Sequence, residues 1–295
     1  MEGIDVLSNI YTALRKHPIY FLPQLIFTIL LVLMILAVAL PLSSSLIAQN
    51  ITNSTSSSAA VTALATSFVA TLPDFLVVGV IMFLAIVLFN GMYIDLVSKW
   101  KNASASLSES VNATISRFVD LFLYYLLISV IEAAIFFIVF APSIGPFLNA
   151  IGSPSSAAST AWIGAGLGLL GSAAVCVVLS VILVPLFFTA PVIIMLENKG
   201  PIKALRESIA IGRKDFFGIL GVLVVFVVAY LIIAGAANAI AVIPVVGPLL
   251  NLVVSMFLPI LSYLIAPMYY VTFVKKTSAK PARTKATPAR RRRKG

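Results

Sequence analysis

Charged residues are scarce in this sequence. Lys, Arg, Asp and Glu together make up 10% of its 295 residues, whereas a typical soluble domain has about 25%. Hydrophobic residues account for 61%, and the mean hydropathy is +1.10. So few polar side chains cannot cover a water-facing surface of this length. The composition therefore excludes a soluble enzyme, a disordered protein and a disulfide scaffold, and it predicts an integral membrane protein.

Cysteine and histidine are almost absent. Cys176 and His17 are the only residues of their kinds, so no intrachain disulfide can form. Zinc sites, haem ligation and histidine-based triads need clusters of such residues. The sequence also lacks a P-loop, a dinucleotide-binding fingerprint and a GxSxG elbow. We therefore expect no enzymatic activity, no catalytic residues, no cofactor and no metal site.

Six long apolar runs predict an all-α membrane protein with six transmembrane helices. Each run has roughly the 20 residues that a helix needs to cross a bilayer. The first run is longer than the apolar core of a signal peptide, so we expect it to be retained. The apolar stretch that leads into the fourth run already starts near Trp162, which indicates an extension of that span on the outer side. The runs are residues 19–42, 75–97, 119–140, about 173–195, 216–243 and 249–274.

The distribution of Lys and Arg predicts the topology. These residues occur before the first run, between the second and third, between the fourth and fifth, and after the sixth. The positive-inside rule then places both termini in the cytoplasm of a plasma-membrane protein. We expect residues 43–73 to form an outer loop, which contains two glycosylation-type triplets, at Asn50 and Asn53. Tyr269 and Tyr270 are expected at a membrane interface.

Two sequence motifs recur in the same order. Residues 107–111 (LSESV) match residues 205–209 (LRESI), and five of eight residues are identical between 142–149 and 244–251. We predict three parallel tandem units, about 1–98, 99–196 and 197–274, that together form a membrane domain of residues 1–274. Each unit has a short cytoplasmic amphipathic helix, an outward span, a connection and an inward span. Similar composition alone is the alternative explanation.

The recurring Gly-Pro pairs also carry a structural prediction. Gly145-Pro146 and Gly247-Pro248 lie in short apolar stretches between predicted spans. Glycine and proline are typical of turns, so we expect both pairs to form tight hairpin connections.

The amphipathic helix of the third unit concentrates its charge on one side. At about 100° per residue, the basic residues and Glu207 fall within an arc of roughly 120°. We expect the helix to lie along the membrane surface, with its cations near anionic lipid headgroups. The alternative is a helix that packs beneath the bundle and binds no specific lipid. The basic residues are Lys203, Arg206, Arg213 and Lys214.

Residues 275–295 form a polybasic tail. They contain ten Lys and Arg and no acidic residue, so we expect disorder in the cytoplasm. Each cation near anionic headgroups contributes about 1 kcal/mol to membrane binding. The tail has no aromatic residue for base stacking, so no specific nucleic-acid partner is predicted. The densest cluster is Arg290, Arg291, Arg292 and Arg293.

Glu132 is the one charged residue predicted well inside a span. Burial of a charge in a membrane costs several kcal/mol, so such a residue marks a candidate functional site. We group it with Asn90 and Asn238 as a possible intramembrane polar site. The alternative is a neutral, hydrogen-bonded packing residue.

One segment resembles a known group of membrane proteins. Residues 197–208 (ENKGPIKALRES), followed by Arg213-Lys214 and Phe216-Phe217, are echoed weakly at 101–118. They resemble the signature of uncharacterised six-helix proteins similar to the membrane domain of some bacterial glycerophosphodiester phosphodiesterases, with many archaeal members. In that group the phosphodiesterase is a separate soluble domain, which we do not expect in this chain. The resemblance therefore implies a membrane domain without an established reaction.

These observations favour a non-enzymatic membrane protein that organises lipids or partner proteins at its cytoplasmic face. The expected partners are the bilayer, its anionic headgroups and other membrane proteins. A transporter with a polar path near Glu132 is the alternative.

Overall fold

The computed structural model of the chain describes residues 2–34, 36, 57–100, 106–152, 158–240, 243 and 246–275. These residues form helices and short connections, with no β-strand among them, which confirms the predicted all-α membrane fold. The helices are α1 (Glu2–Lys16), α2 (residues 21–34), α3 (Ser57–Ser98), α4 (Leu107–Ser116), α5 (Phe118–Gly152), α6 (Ala158–Phe187), α7 (Ala190–Glu197), α8 (Pro201–Lys214), α9 (Phe216–Ile240) and α10 (Val246–Tyr269). A 3₁₀ turn (Pro18–Tyr20) precedes α2, and a π-helical turn (Tyr270–Val274) follows α10.

Five described helical segments are long and apolar enough to cross a membrane, and a bent pair raises the number to six. The bent pair is Gly3–Lys16 with Pro18–Met34, whose axes differ by 101°. The bend lies at His17, whose backbone (φ −131°, ψ 86°) is not helical, in agreement with the bias of a residue before proline against the helical conformation. The five segments are Leu72–Ser98, Phe118–Pro146, Ile163–Glu197, Phe216–Ile240 and Val253–Val274.

Helix α3 begins earlier than expected. It starts at Ser57, so residues 57–73 are helical and the prediction of a loop there is wrong. Five alanines in this segment favour a helix. The rest of the predicted loop, including the triplets at Asn50 and Asn53, lies outside the described residues.

The hairpin predicted at Gly145-Pro146 is also wrong, because both residues lie inside α5. A membrane helix tolerates proline where neighbouring groups satisfy the freed backbone atoms. Near this point Ser172 of α6 donates a hydrogen bond to the Val139 carbonyl (3.0 Å), and the Ser143 and Ser172 hydroxyls lie 2.8 Å apart. The structure thus joins α5 and α6 side by side here. At the other pair, Pro248 lies in the first turn of α10, where a missing N–H costs nothing.

The three short amphipathic helices pack at one end of the bundle, which we call the short-helix end. Helix α4 contacts α3, α8 contacts α6 and α7, and α1 contacts α9 and α10. Each short helix therefore packs beneath a span that precedes it in the chain, except that α1 packs beneath the last two.

Helix α8 is held by a stripe of small residues. Ala204, Ser208 and Gly212 are buried against the bundle, whereas Ile202 at the start of the helix is 61% exposed. The spacing of four residues puts the stripe on one face. The apolar side of α8 therefore packs beneath the spans.

The core lies near the short-helix end. Buried residues are consecutive in α3 from Gly91 to Val97, and others cluster around α7 and in α10 and its π turn. Large apolar side chains of α9 and of the far half of α5 are exposed. Tyr269 and Tyr270 are buried here near the end of the candidate span Val253–Val274, and their placement at a membrane interface stays a prediction. Their hydroxyls donate to Asp215 and Glu197, respectively. These bonds satisfy the hydroxyl groups of the two buried tyrosines.

Candidate intramembrane cleft and the basic face

A cleft of about 700 Å³ lies between α3, α5, α6–α7 and α10. Its volume falls within the range of about 300–1,000 Å³ that is typical of small-molecule sites. The wall is mostly apolar, formed by side chains such as Ile128, Phe136, Leu179 and Leu183. Polar groups come from one face of α5 and from single positions on the other helices.

Glu132 lies in this cleft near the centre of its span. The span runs from Phe118 to Pro146, so at a rise of 1.5 Å per residue Glu132 is about 21 Å from either end. The lining contains no Lys or Arg among the residues that the structure describes. Glu132 is therefore an exposed residue of a mostly apolar cleft, and none of the described lining residues supplies a cation.

Asn90 of α3 lines the same cleft as Glu132, so the structure brings together two of the three predicted polar residues. Asn238 is exposed on α9 and does not line the cleft. Ser129 of α5, Ser180 of α6 and Ser262 of α10 add hydroxyl groups. The Ser262 hydroxyl donates to the Pro259 carbonyl (2.6 Å).

A break in the fourth span shapes one wall. Helix α6 ends at Phe187 and α7 begins at Ala190, with Pro191 in its first turn. Pro191 lacks the N–H that would bond the Phe187 carbonyl four residues earlier. The Tyr124 hydroxyl of α5 donates to that carbonyl instead (3.0 Å), which ties α5 to the break. The Leu186 carbonyl accepts a bond from Ser208 of α8 (2.8 Å).

Sequence reasoning missed the tyrosines and serines of the cleft. Tyr124, Ile128, Glu132 and Phe136 follow one another at intervals of four, and Tyr125 and Ser129 lie beside them. This spacing defines one face of a helix. The periodicity around Glu132 was therefore a usable signal for the α5 wall, whereas the opposing walls depend on tertiary packing.

Residues 1–279 match the family model described as a domain of unknown function, DUF7847. The chain belongs to this family. No curated protein and no solved structure matches it. The DUF7847 match covers all of the predicted membrane domain, residues 1–274, and assigns no reaction or ligand. The resemblance to phosphodiesterase membrane domains stays a prediction.

The basic residues of α8 in this DUF7847 chain point away from the bundle. Lys203, Arg206, Arg213 and Lys214 are exposed and form no salt bridge with the residues that the structure describes. Arg15 and Lys16 are exposed at the end of α1. We call the four α8 residues the basic face. Arg290, Arg291, Arg292 and Arg293 lie outside the described residues.

Lys199 bridges two helices at a tight turn between α7 and α8. Asn198 adopts the left-handed conformation (φ 55°) that commonly ends a helix. Lys199 then contacts Glu197 (2.6 Å) and Glu207 of α8. Hydrogen bonds to these two carboxylates raise the pKa of Lys199 above its usual value.

Lys99 forms a second bridge of this kind, between α3 and α4. Its amine lies 2.9 Å from Asp95 and 3.4 Å from Glu109. Partial burial alone lowers the pKa of Lys99, but bonds to Asp95 and Glu109 outweigh it and leave the pKa raised. Among the described residues, no group of three His, Cys, Asp or Glu side chains is placed to hold a metal ion.

Proposed function

We propose that this protein is a non-enzymatic membrane domain that gathers anionic lipids at its short-helix end. We place this end, and both termini, in the cytoplasm of a plasma-membrane protein, with the polybasic tail beside the same leaflet. Other membrane proteins then meet a surface already enriched in anionic headgroups. The proposal gives the basic residues one shared role.

The observation that carries the proposal is the division of α8 into two faces. The stripe of Ala204, Ser208 and Gly212 holds the helix beneath the spans, so its position is fixed without the basic residues. The four cations of the basic face are exposed on the other side. Cations held at the membrane interface attract anionic headgroups by about 1 kcal/mol each. A fixed row of them is therefore suited to lipid binding.

The test uses the full chain and phosphatidylglycerol as the probe. Purified protein is compared with a variant carrying Lys203→Gln, Arg206→Gln, Arg213→Gln and Lys214→Gln, and lipid retention is measured by native mass spectrometry. We expect the variant to retain fewer phosphatidylglycerol molecules and the same amount of phosphatidylcholine. A second variant without residues 276–295 separates the contribution of the tail.

The matched control exchanges Lys for Arg and Arg for Lys at the same four positions. It keeps every charge, so its lipid retention should equal that of the unmodified chain. Equal phosphatidylglycerol retention by the Gln variant would contradict the proposal.

A transporter is the second candidate, because Glu132 and Asn90 line one cleft. Polar side chains inside spans often mark a substrate path. The variant Glu132→Cys in a Cys176→Ser background distinguishes the two functions. A water-filled path predicts modification by a charged, membrane-impermeant thiol reagent, whereas a cleft open only to lipid predicts no modification by that reagent.

A further inference from the structure

The cleft combines one carboxyl group with a largely apolar wall. Glu132 lies about halfway through its span, and no Lys or Arg is found among the described lining residues. A charge at this depth is unfavourable unless an opposite charge accompanies it. The wall itself does not supply that charge, so an occupant that carries it gains from the contact.

We infer that the cleft binds an amphiphile with a protonated amine, whose head contacts Glu132 and whose hydrocarbon body lies along α5 and α6. The inference concerns occupancy of the cleft, and it holds whether or not the ligand crosses the membrane. It is also independent of the basic face, because none of the basic-face residues lines the cleft.

The walls fit the two parts of such a ligand. Phe136 and Val184 line the cleft and are 51% and 44% exposed, so this side opens onto the lipid-facing surface. A hydrocarbon chain enters there without passing through water. Ser129 and Ser180 contribute hydroxyl oxygens, and an ammonium group has three N–H donors for such acceptors.

Charge complementarity separates this ligand from ordinary anionic lipids. A phosphate or carboxylate head beside Glu132 places two like charges in an apolar space, which is repulsive. A neutral alcohol fits the shape but leaves the carboxyl group without a cation. The geometry thus favours an amine over an alcohol or an acid with the same chain.

The test uses three photoreactive alkyl probes that differ only in the head: a primary amine, an alcohol and a carboxylate. Each is crosslinked to the full chain in phosphatidylcholine nanodiscs, and modified peptides are mapped by mass spectrometry. We expect the amine to label α5 and α6 peptides of the cleft with an apparent affinity about tenfold above that of the alcohol, since a bond to a charged group commonly contributes this much. The carboxylate should label least.

The variant Glu132→Gln keeps the size of the side chain and removes its charge. We expect it to retain alcohol labelling and to lose the preference for the amine. Retained alcohol labelling also shows that the variant is folded around the cleft. The matched control is Asp74→Asn, because Asp74 is an exposed carboxylate on α3 outside the cleft.

Three outcomes overturn the inference. Equal labelling by amine and alcohol in the unmodified chain shows a groove that selects for apolar character alone. An amine preference that persists in Glu132→Gln, or that disappears in Asp74→Asn, assigns it to another group. Amine labels that map outside the cleft-lining parts of α3, α5, α6, α7 and α10 place the ligand elsewhere.

Discussion

The α3–α4 and α6/α7–α8 junctions have the same plan and different chemistry. In both, a lysine forms ion pairs with a carboxylate at the end of a span and with a glutamate of the short helix. A buried serine follows that glutamate in the chain, as Glu109-Ser110 in α4 and Glu207-Ser208 in α8. Yet Ser110 donates to a carboxylate, Asp95 (2.7 Å), whereas Ser208 donates to a backbone carbonyl and accepts a bond from Thr189 (3.0 Å).

The two junctions also differ in which helix carries the glycine at the closest contact. At the α3–α4 junction the glycine is on the span, where Gly91 faces Thr114. At the other it is on the short helix, where Gly212 faces the Pro185 carbonyl. Thr114 and Gly212 are 98 residues apart, the offset of the recurring motif. The difference shows that a short helix can pack closely against a span when either of the two contacting helices carries a glycine at the contact. The α1 junction is mainly apolar, with Val6, Ile10 and Leu14 buried.

The largest predicted effect is that of Gly212→Ala. A Cβ at this position would lie 2.6 Å from the Pro185 carbonyl oxygen and 2.8 Å from the Leu186 Cα. Because backbone atoms cannot rotate aside, we expect a loss of about 3 kcal/mol, the upper part of the range for overpacking. The measurement is the thermal unfolding midpoint in detergent. Gly221→Ala is the matched control, since nothing lies within 4 Å of its Cβ position.

Gly91→Ala should cost less than Gly212→Ala, because the closest atom to a Cβ at Gly91 is the Thr114 Cγ2, which belongs to a side chain. Thr114→Ala removes that atom. We therefore expect Gly91→Ala and Thr114→Ala to be non-additive, with the double variant more stable than the sum of the two losses predicts. Additive losses would show that the contact is not the source of the effect.

A smaller effect is expected from removing the two serine hydroxyls. Ser110→Ala deprives the buried Asp95 of a hydrogen bond, and bonds to charged groups are stronger than neutral ones. We expect Ser110→Ala to cost about 2 kcal/mol and Ser208→Ala about 1 kcal/mol. Unfolding midpoints measured in one detergent give the order. Ser108→Ala, an exposed position on α4, is the control. The reverse order would contradict the assignment of the stronger bond to Asp95.

The sequence predicted the spans and the short helices well, because apolar runs and charge periodicity are local. The end of α8 near Lys214 and the start of α9 at Phe216 follow directly from that pattern. The pairing of Glu132 with Asn90 in one cleft was a hypothesis from polarity alone, and the structure places both there.

Contacts between distant segments were not predictable in this way. The burial of Tyr269 and Tyr270 is an example, because the carboxylates that accept their hydrogen bonds come from distant positions: Asp215 between α8 and α9, and Glu197 at the end of α7. The same limit applies to Asn238, which shares the polarity of Asn90 but lies exposed on α9. Gly145-Pro146 failed as a turn for a different reason, since a membrane helix can include proline.

The smallest predicted effect separates the two lysine bridges by pH. Both pKa values are raised, so the stabilisation by each lysine is complete below the unfolded pKa, about 10.4, and is lost as pH rises through the higher folded pKa. Both side chains are about one-third exposed, at 29% and 35%, so each bridge contributes at most about 1 kcal/mol. We expect Lys99→Met and Lys199→Met to lower the unfolding midpoint slightly at pH 8 and to reduce the loss of stability as the pH rises above about 10.4. Lys203→Met is the control, because Lys203 forms no ion pair with the described residues.

Lys99→Met should have the larger effect of the two, because it also leaves the buried Asp95 without its cation, whereas Glu197 keeps its bond from Tyr270. An equal alkaline loss in all three variants would show that neither bridge contributes to folding.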